Sequence, residues 1–298
     1  MSRPAASHSA LLTLVILILI WAYSWVVMKQ VLQYAGPFQF AALRFTGGAV
    51  VLFVVLLIKR QSLRPTPFKL TLMVGLCQTT AFQALSQWAL VSGDAGHTSL
   101  LAYTMPFWAV LLAWILLSER PDRPQRIGLI LAAVGLLCVL EPWQGLGGLF
   151  SAFLAIIGGI SWALGVVFTK RMFQLHSPST LAFTAWQMLL GALVLCAIAL
   201  AVPAPAVDWT PQFIMGLAYS VLPATSLGWF LWAVVVQRLP TAVASLSSLG
   251  VPVTAVLLGW IVLHERPGGM ELVGIVFIAS GLLAVSGFGQ RKPSLDRR

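Results

Sequence analysis

Chemistry inside an apolar chain needs polar groups at matched spacing, and Thr79, Phe82, Gln83 and Ser86 supply one such set. Their i, i+3, i+4, i+7 spacing puts them on one helix face, with Gln87 beside it. Amide and hydroxyl groups around an aromatic ring are costly against lipid, so this face is expected to point inward. It either lines a substrate cavity or hydrogen-bonds to neighbouring helices. Tyr103 and Met105 precede Pro106 and would reach the same space from another segment. Trp21 and Trp162 lie deep in apolar runs with Ser24 and Ser161 nearby, placed to close around a substrate or to pack.

Pro106 and Pro252 each remove a backbone donor and free a carbonyl four residues earlier, at Ala102 and Ser248. Such a carbonyl needs a partner or a wet cavity at membrane depth. Ser245, Ser247 and Ser248, just ahead of Pro252, favour a polar cavity wall. Arg44 is the one charge inside any apolar run, available to a substrate carboxylate or to backbone carbonyls.

These groups can bind but cannot catalyse. Glu119, Glu141, Glu265 and Asp94 all fall at the ends of apolar runs, and no GxSxG or HExxH string occurs, which argues against an intramembrane enzyme. Cys77, Cys138 and Cys196 are far apart, and His8, His97, His176 and His264 sit near helix ends, so neither a metal site nor a cofactor is expected. No ring of charge or filter-like loop points to a channel.

The elements that must position these residues follow from composition. With 59% hydrophobic and 9% charged residues in 298, the chain must have lipid as its solvent. A net charge of +10 brings nucleic acid to mind, but the basic residues sit in short loops at helix ends, as topology signals do. A helix needs about 20 mainly apolar residues to cross about 30 Å of hydrocarbon. That rule gives ten spans: Ala10 to Met28, Pro37 to Ile58, Phe68 to Val91, His97 to Leu117, Arg126 to Leu140, Gly148 to Thr169, Ser179 to Ala201, Gln212 to Val236, Thr241 to Leu263 and Met270 to Phe288. With the N-terminus inside, inner segments hold 15 of the 18 Lys and Arg residues and outer loops only Lys29 and Arg266. Both termini are therefore expected in the cytoplasm, and the chain in the plasma (inner) membrane as a multi-pass protein.

The two halves repeat. Trp21, Lys29 and Pro37 match Trp162, Lys170 and Pro178 at an offset of 141 residues, which makes Ala185 the counterpart of Arg44. Pro106, Trp114, Glu119, Arg120, Pro121, Gly128 and Gly135 match Pro252, Trp260, Glu265, Arg266, Pro267, Gly274 and Gly281 at an offset of 146. Five spans per half is an odd number, so the second half enters from the opposite side. The expected fold is all-α: an integral membrane protein of ten transmembrane helices in two inverted five-helix repeats, residues 1–144 and 145–298. Gly128, Gly135, Gly274 and Gly281 are expected to let helix backbones approach closely.

The paired strings LLAWILLSERP and LLGWIVLHERP, each followed by Gly-x6-Gly, resemble the EamA-type branch of the drug/metabolite transporter superfamily. Within it the chain is similar to the YddG-like exporters of neutral and aromatic amino acids. The resemblance implies a membrane transporter for a small molecule, working in the lipid bilayer as a monomer or homodimer. Nucleotide-sugar and sugar-phosphate carriers share this plan, but their anions want several cavity cations and only Arg44 is available.

Overall fold

The computed structural model describes residues 8–93, 95–140, 149–254 and 268–288, and all of its regular elements there are helices. The first is α1 (His8–Val31), followed by α2 (Pro37–Ile58), which starts on a proline at its first turn, where a missing donor costs nothing. A third run joins α3 (Phe68–Val74), a π-helical segment (Gly75–Ala81) and α4 (Phe82–Ser92). Then come α5 (Ala95–Ala102), α6 (Met105–Leu117) and α7 (Arg123–Leu140).

The second half mirrors this order. It has α8 (Leu149–Leu175), α9 (Thr180–Ala201), then α10 (Pro211–Tyr219), a π-helical segment (Ser220–Leu227) and α11 (Gly228–Arg238). A shorter helix, α12 (Thr241–Ser247), precedes helical residues 250–254, and a final helix runs Gly269–Phe288. Most described residues of the expected spans are helical, with turns at Tyr103 and Thr104 and at Ser248 and Leu249. Among the described residues six helices are long and apolar enough to cross a membrane. Trp260, Glu265, Arg266 and Pro267 of the repeat, and Glu141, lie outside the described residues.

Two departures from unbroken helices matter. The third span was expected as one continuous helix, yet it changes to π winding from Gly75 to Ala81, and the eighth does so from Ser220 to Leu227. π turns insert extra residues into an α-helix and re-phase the side chains beyond them. The fourth span breaks at Tyr103 and Thr104, where the Thr104 and Phe107 amides bond carbonyls three residues back. The ninth has the same tight bonding at Ser248 and Leu249. The Ala102 carbonyl meets Gly159 of α8, where an added Cβ would lie 2.8 Å away, and the Ser248 carbonyl accepts from the Val251 amide at 2.9 Å.

Close backbone contacts hold the bundle where helices cross. An added Cβ on Gly135 would lie 2.7 Å from the Gly274 carbonyl oxygen, and one on Gly281 would lie 2.9 Å from that of Gly128. These four glycines thus seat α7 against the final helix. Large apolar side chains such as Ile58, Ile115, Leu200 and Val276 are exposed on the outside, as lipid contact requires.

Candidate substrate site

The aromatic residues meet at the centre. Trp162 on α8 stacks on Phe82 of α4 with ring centroids 4.8 Å apart, and lies 5.7 Å from Trp21, 5.4 Å from Tyr103, 6.1 Å from Trp229 and 5.5 Å from Trp232. Beside this cluster is a cavity of about 30 Å³. Its aromatic wall is Trp21, Trp25, Phe82, Tyr103, Trp162 and Trp229. Ser24, Met28, Arg44, Gln83 and Ser86 form the other wall. Every one of these residues is buried within the bundle.

Trp21, Phe82, Gln83, Ser86, Tyr103, Trp162 and Arg44 are therefore brought together as cavity residues. Thr79, Met105, Ser245 and Ser248 are buried elsewhere. Thr79 lies within the π segment, out of phase with Phe82, and its hydroxyl donates to Gln187 Oε1 at 3.0 Å. Met105 packs into the core at the start of α6, and the Ser248 hydroxyl turns back to the Ser245 carbonyl at 2.6 Å. Trp25, Met28 and Trp229 were not singled out from the sequence. The offset of 146 pairs Gln83 with Trp229 and Ser86 with Trp232, a signal that a search for identical residues passes over.

The paired positions make paired contacts. Thr80 Oγ1 donates to the Gly191 carbonyl at 2.9 Å, and Ser226 Oγ to the Gly48 carbonyl at 3.4 Å. Arg44 Nε donates to Thr225 Oγ1 at 2.5 Å, where in the other half Thr79 bonds Gln187. Thr79 and Thr225 are 146 apart, and Gly48 and Gly191, Arg44 and Gln187 are 143 apart. The counterpart of Arg44 is thus Gln187 rather than Ala185, because α2 and α9 pair first residue to first residue, Pro37 with Thr180.

The two indole N–H groups differ. Trp21 Nε1 donates to the Ala224 carbonyl at 3.0 Å, a group exposed by the second π segment. Trp162 Nε1 has no partner, nor does the Ser86 hydroxyl. Buried donors without partners are uncommon and mark a place for a ligand or water.

Matched lysines fix two helix ends. Lys29 Nζ donates to the Leu90 and Gly93 carbonyls at 2.8 and 3.0 Å, closing the end of α4. Lys170 Nζ donates to the Val236 and Leu239 carbonyls at 3.3 and 2.7 Å, closing the end of α11. A cation at a helix C-terminus satisfies orphan carbonyls and complements the dipole. Lys29→Met is expected to cost about 1–2 kcal/mol, read as a lower melting temperature in detergent, and Lys170→Met a similar amount.

A lipid-facing helical bundle around a buried aromatic and polar centre, with no acid among the described residues that line it, has the build of a membrane transporter. The comparisons agree. The chain belongs to the EamA-like transporter family, whose model matches residues 8–141 and again 149–287. It is 30% identical over 93% of its length, and 95% of the other chain, to a protein of Salmonella typhimurium called a probable amino-acid metabolite efflux pump. The similarly named Escherichia coli protein is 28% identical over 93% of this chain and 94% of its own. The uncharacterized transporter YoaV of Bacillus subtilis is 28% identical over 89% and 92%. A solved crystal structure shares the fold with a TM-score of 0.78 at 20% identity, covering 95% of this chain and 98% of that one.

Proposed function

We propose that this multi-pass membrane transporter exports small neutral and aromatic amino acids across the plasma membrane. In this reading ten helices form two inverted repeats, residues 1–144 and 145–298, with both termini cytoplasmic. The family model's match to each half, the mirrored lysine, threonine and π-helical features, and the skew of basic residues toward one side support that arrangement. The observation that carries the substrate reading is the cavity itself. Six aromatic side chains face hydroxyl, amide and guanidinium groups, which suits a carboxylate-bearing solute with an apolar body. The names of two relatives point to the same class.

A cavity of about 30 Å³ holds one or two waters, so a solute enters only after the halves part, as alternating access requires. No Asp, Glu or His lines this cavity, and arginine stays charged at every physiological pH. Movement is then driven by the substrate gradient or by exchange. Purified protein in liposomes should exchange labelled phenylalanine, leucine or threonine, and sugar phosphates should not compete. With equal substrate on both sides, an imposed pH gradient should give no net accumulation. Uphill uptake abolished by a protonophore would refute the coupling, and preference for sugar phosphates would refute the substrate class.

A further inference from the structure

Arg44 stands out as a buried cation without a counter-ion. It is 3% exposed, and no carboxylate among the described residues pairs with it. Its guanidinium donates to Thr225 Oγ1 and, at 2.8 Å, to Met28 Sδ, a weak acceptor, and lies 5.2 Å from the Phe45 ring. Guanidinium carries five N–H donors, so most remain uncommitted. Burying such a charge uncompensated is costly.

The fold contains its own control for what this position needs structurally. At the matching register of the other half, Gln187 Oε1 accepts from Thr79 Oγ1, where Arg44 Nε donates to Thr225 Oγ1, and an amide can make either bond through its oxygen or its N–H. A neutral amide therefore suffices to hold α2 or α9 against its π segment. The positive charge is surplus to that role, and it faces the cavity. The other cavity groups are neutral and add no second charge. Trp162 Nε1 is a donor only, Ser86 has a free hydroxyl, and no acid is present to receive a substrate ammonium.

Building on the substrate reading above, we infer that Arg44 reads the substrate carboxylate and that the α-ammonium is dispensable, so the site takes aromatic and apolar monocarboxylates whether or not they carry an amine. A carboxylate accepts bidentate bonds from the guanidinium and neutralises its charge, so a monocarboxylate without an amine leaves the site neutral and an amino acid leaves it with the single charge of its ammonium. An ammonium finds no carboxylate on these walls, only neutral acceptors such as Gln83 Oε1 and Ser86 Oγ and the ring faces. These tolerate it by hydrogen bonds and cation–π attraction but do not require it. A dianion would leave excess negative charge at a single cation.

The test uses three ligands with one benzyl body: phenylalanine, 3-phenylpropionate with the carboxylate alone, and phenylalaninamide with the ammonium alone. Binding is measured by calorimetry on the full chain in detergent, and exchange inhibition in proteoliposomes. The two acids should bind within about threefold of each other and the amide at least about tenfold more weakly, the size of a lost charge-assisted bond. Arg44→Gln should melt close to the unmodified protein and lose at least about tenfold in affinity for both acids. Arg44→Lys should keep the preference for acids.

Equal binding of phenylalaninamide, or full acid binding by Arg44→Gln, would overturn the inference and leave amino-acid export standing. Absence of binding by all three ligands, with exchange of some other solute intact, would overturn both. Should Arg44→Gln fail to fold, the claim that a neutral amide suffices there is refuted, and the three-ligand series on the unmodified chain still decides the carboxylate requirement.

Discussion

Trp162→Ala should lower the stability of the folded protein by about 3 kcal/mol or more and stop transport. The indole is 1% exposed and touches five other aromatic rings, so its removal leaves a void that several helices would have to collapse to fill. In a bilayer the loss is one of dispersion contacts rather than of hydrophobic burial, since lipid tails are as apolar as the ring. Trp162→Phe separates packing from binding. It keeps a ring against Phe82 and deletes an N–H that has no partner in this structure, so the melting temperature should change little. Substrate affinity should fall if that N–H is reserved for the solute. Thermal unfolding in detergent beside exchange rates in liposomes gives both readings, and unaltered exchange by Trp162→Phe would assign the residue to packing alone.

Gly75→Leu and Gly191→Leu should each cost about 3 kcal/mol and reduce the yield of folded protein. These glycines let α9 lie directly on the first π segment. An added Cβ on Gly75 would sit 2.6 Å from the Gln187 carbonyl oxygen, and one on Gly191 would sit 2.5 Å from the Gly75 carbonyl oxygen. Main chain cannot yield there as a side-chain tip would, and Thr80, which bonds the Gly191 carbonyl, would be displaced with it. Gly158→Ala is the matched control. Its nearest new neighbour would be Ser86 Oγ at 3.4 Å, an ordinary contact, so it should melt within a few degrees of the unmodified chain. Size-exclusion profiles and melting curves of the three variants test the contrast, and equal tolerance of all three would show that the helices can part.

Helix positions were legible where sequence chemistry is local. Pro37 and Lys59 bracket α2, and the apolar run between them admits few other readings. The π segments were not, because winding depends on hydrogen bonds to neighbouring helices and leaves no periodicity in one sequence. That hidden change misplaced Thr79, which the simple i, i+3 rule put beside Phe82. Arg44 was matched to Ala185 because the visible identities gave offsets of 141 and 146, while helix α2 runs at 143, marked only by Gly48 and Gly191. Trp229 escaped notice for a related reason: its partner is Gln83, and repeats are found by likeness. The cavity shows that unlikeness, since the first half supplies its polar groups and four of its six rings and the second half adds only Trp162 and Trp229.

A centre this narrow also restricts water. Protons travel along unbroken files of hydrogen-bonded water, and a cavity of about 30 Å³ with six rings on one side has room for only one or two waters. One elementary charge leaking down 100 mV dissipates about 2.3 kcal/mol. A carrier that admits so little water at its centre loses little of the membrane voltage as it turns over.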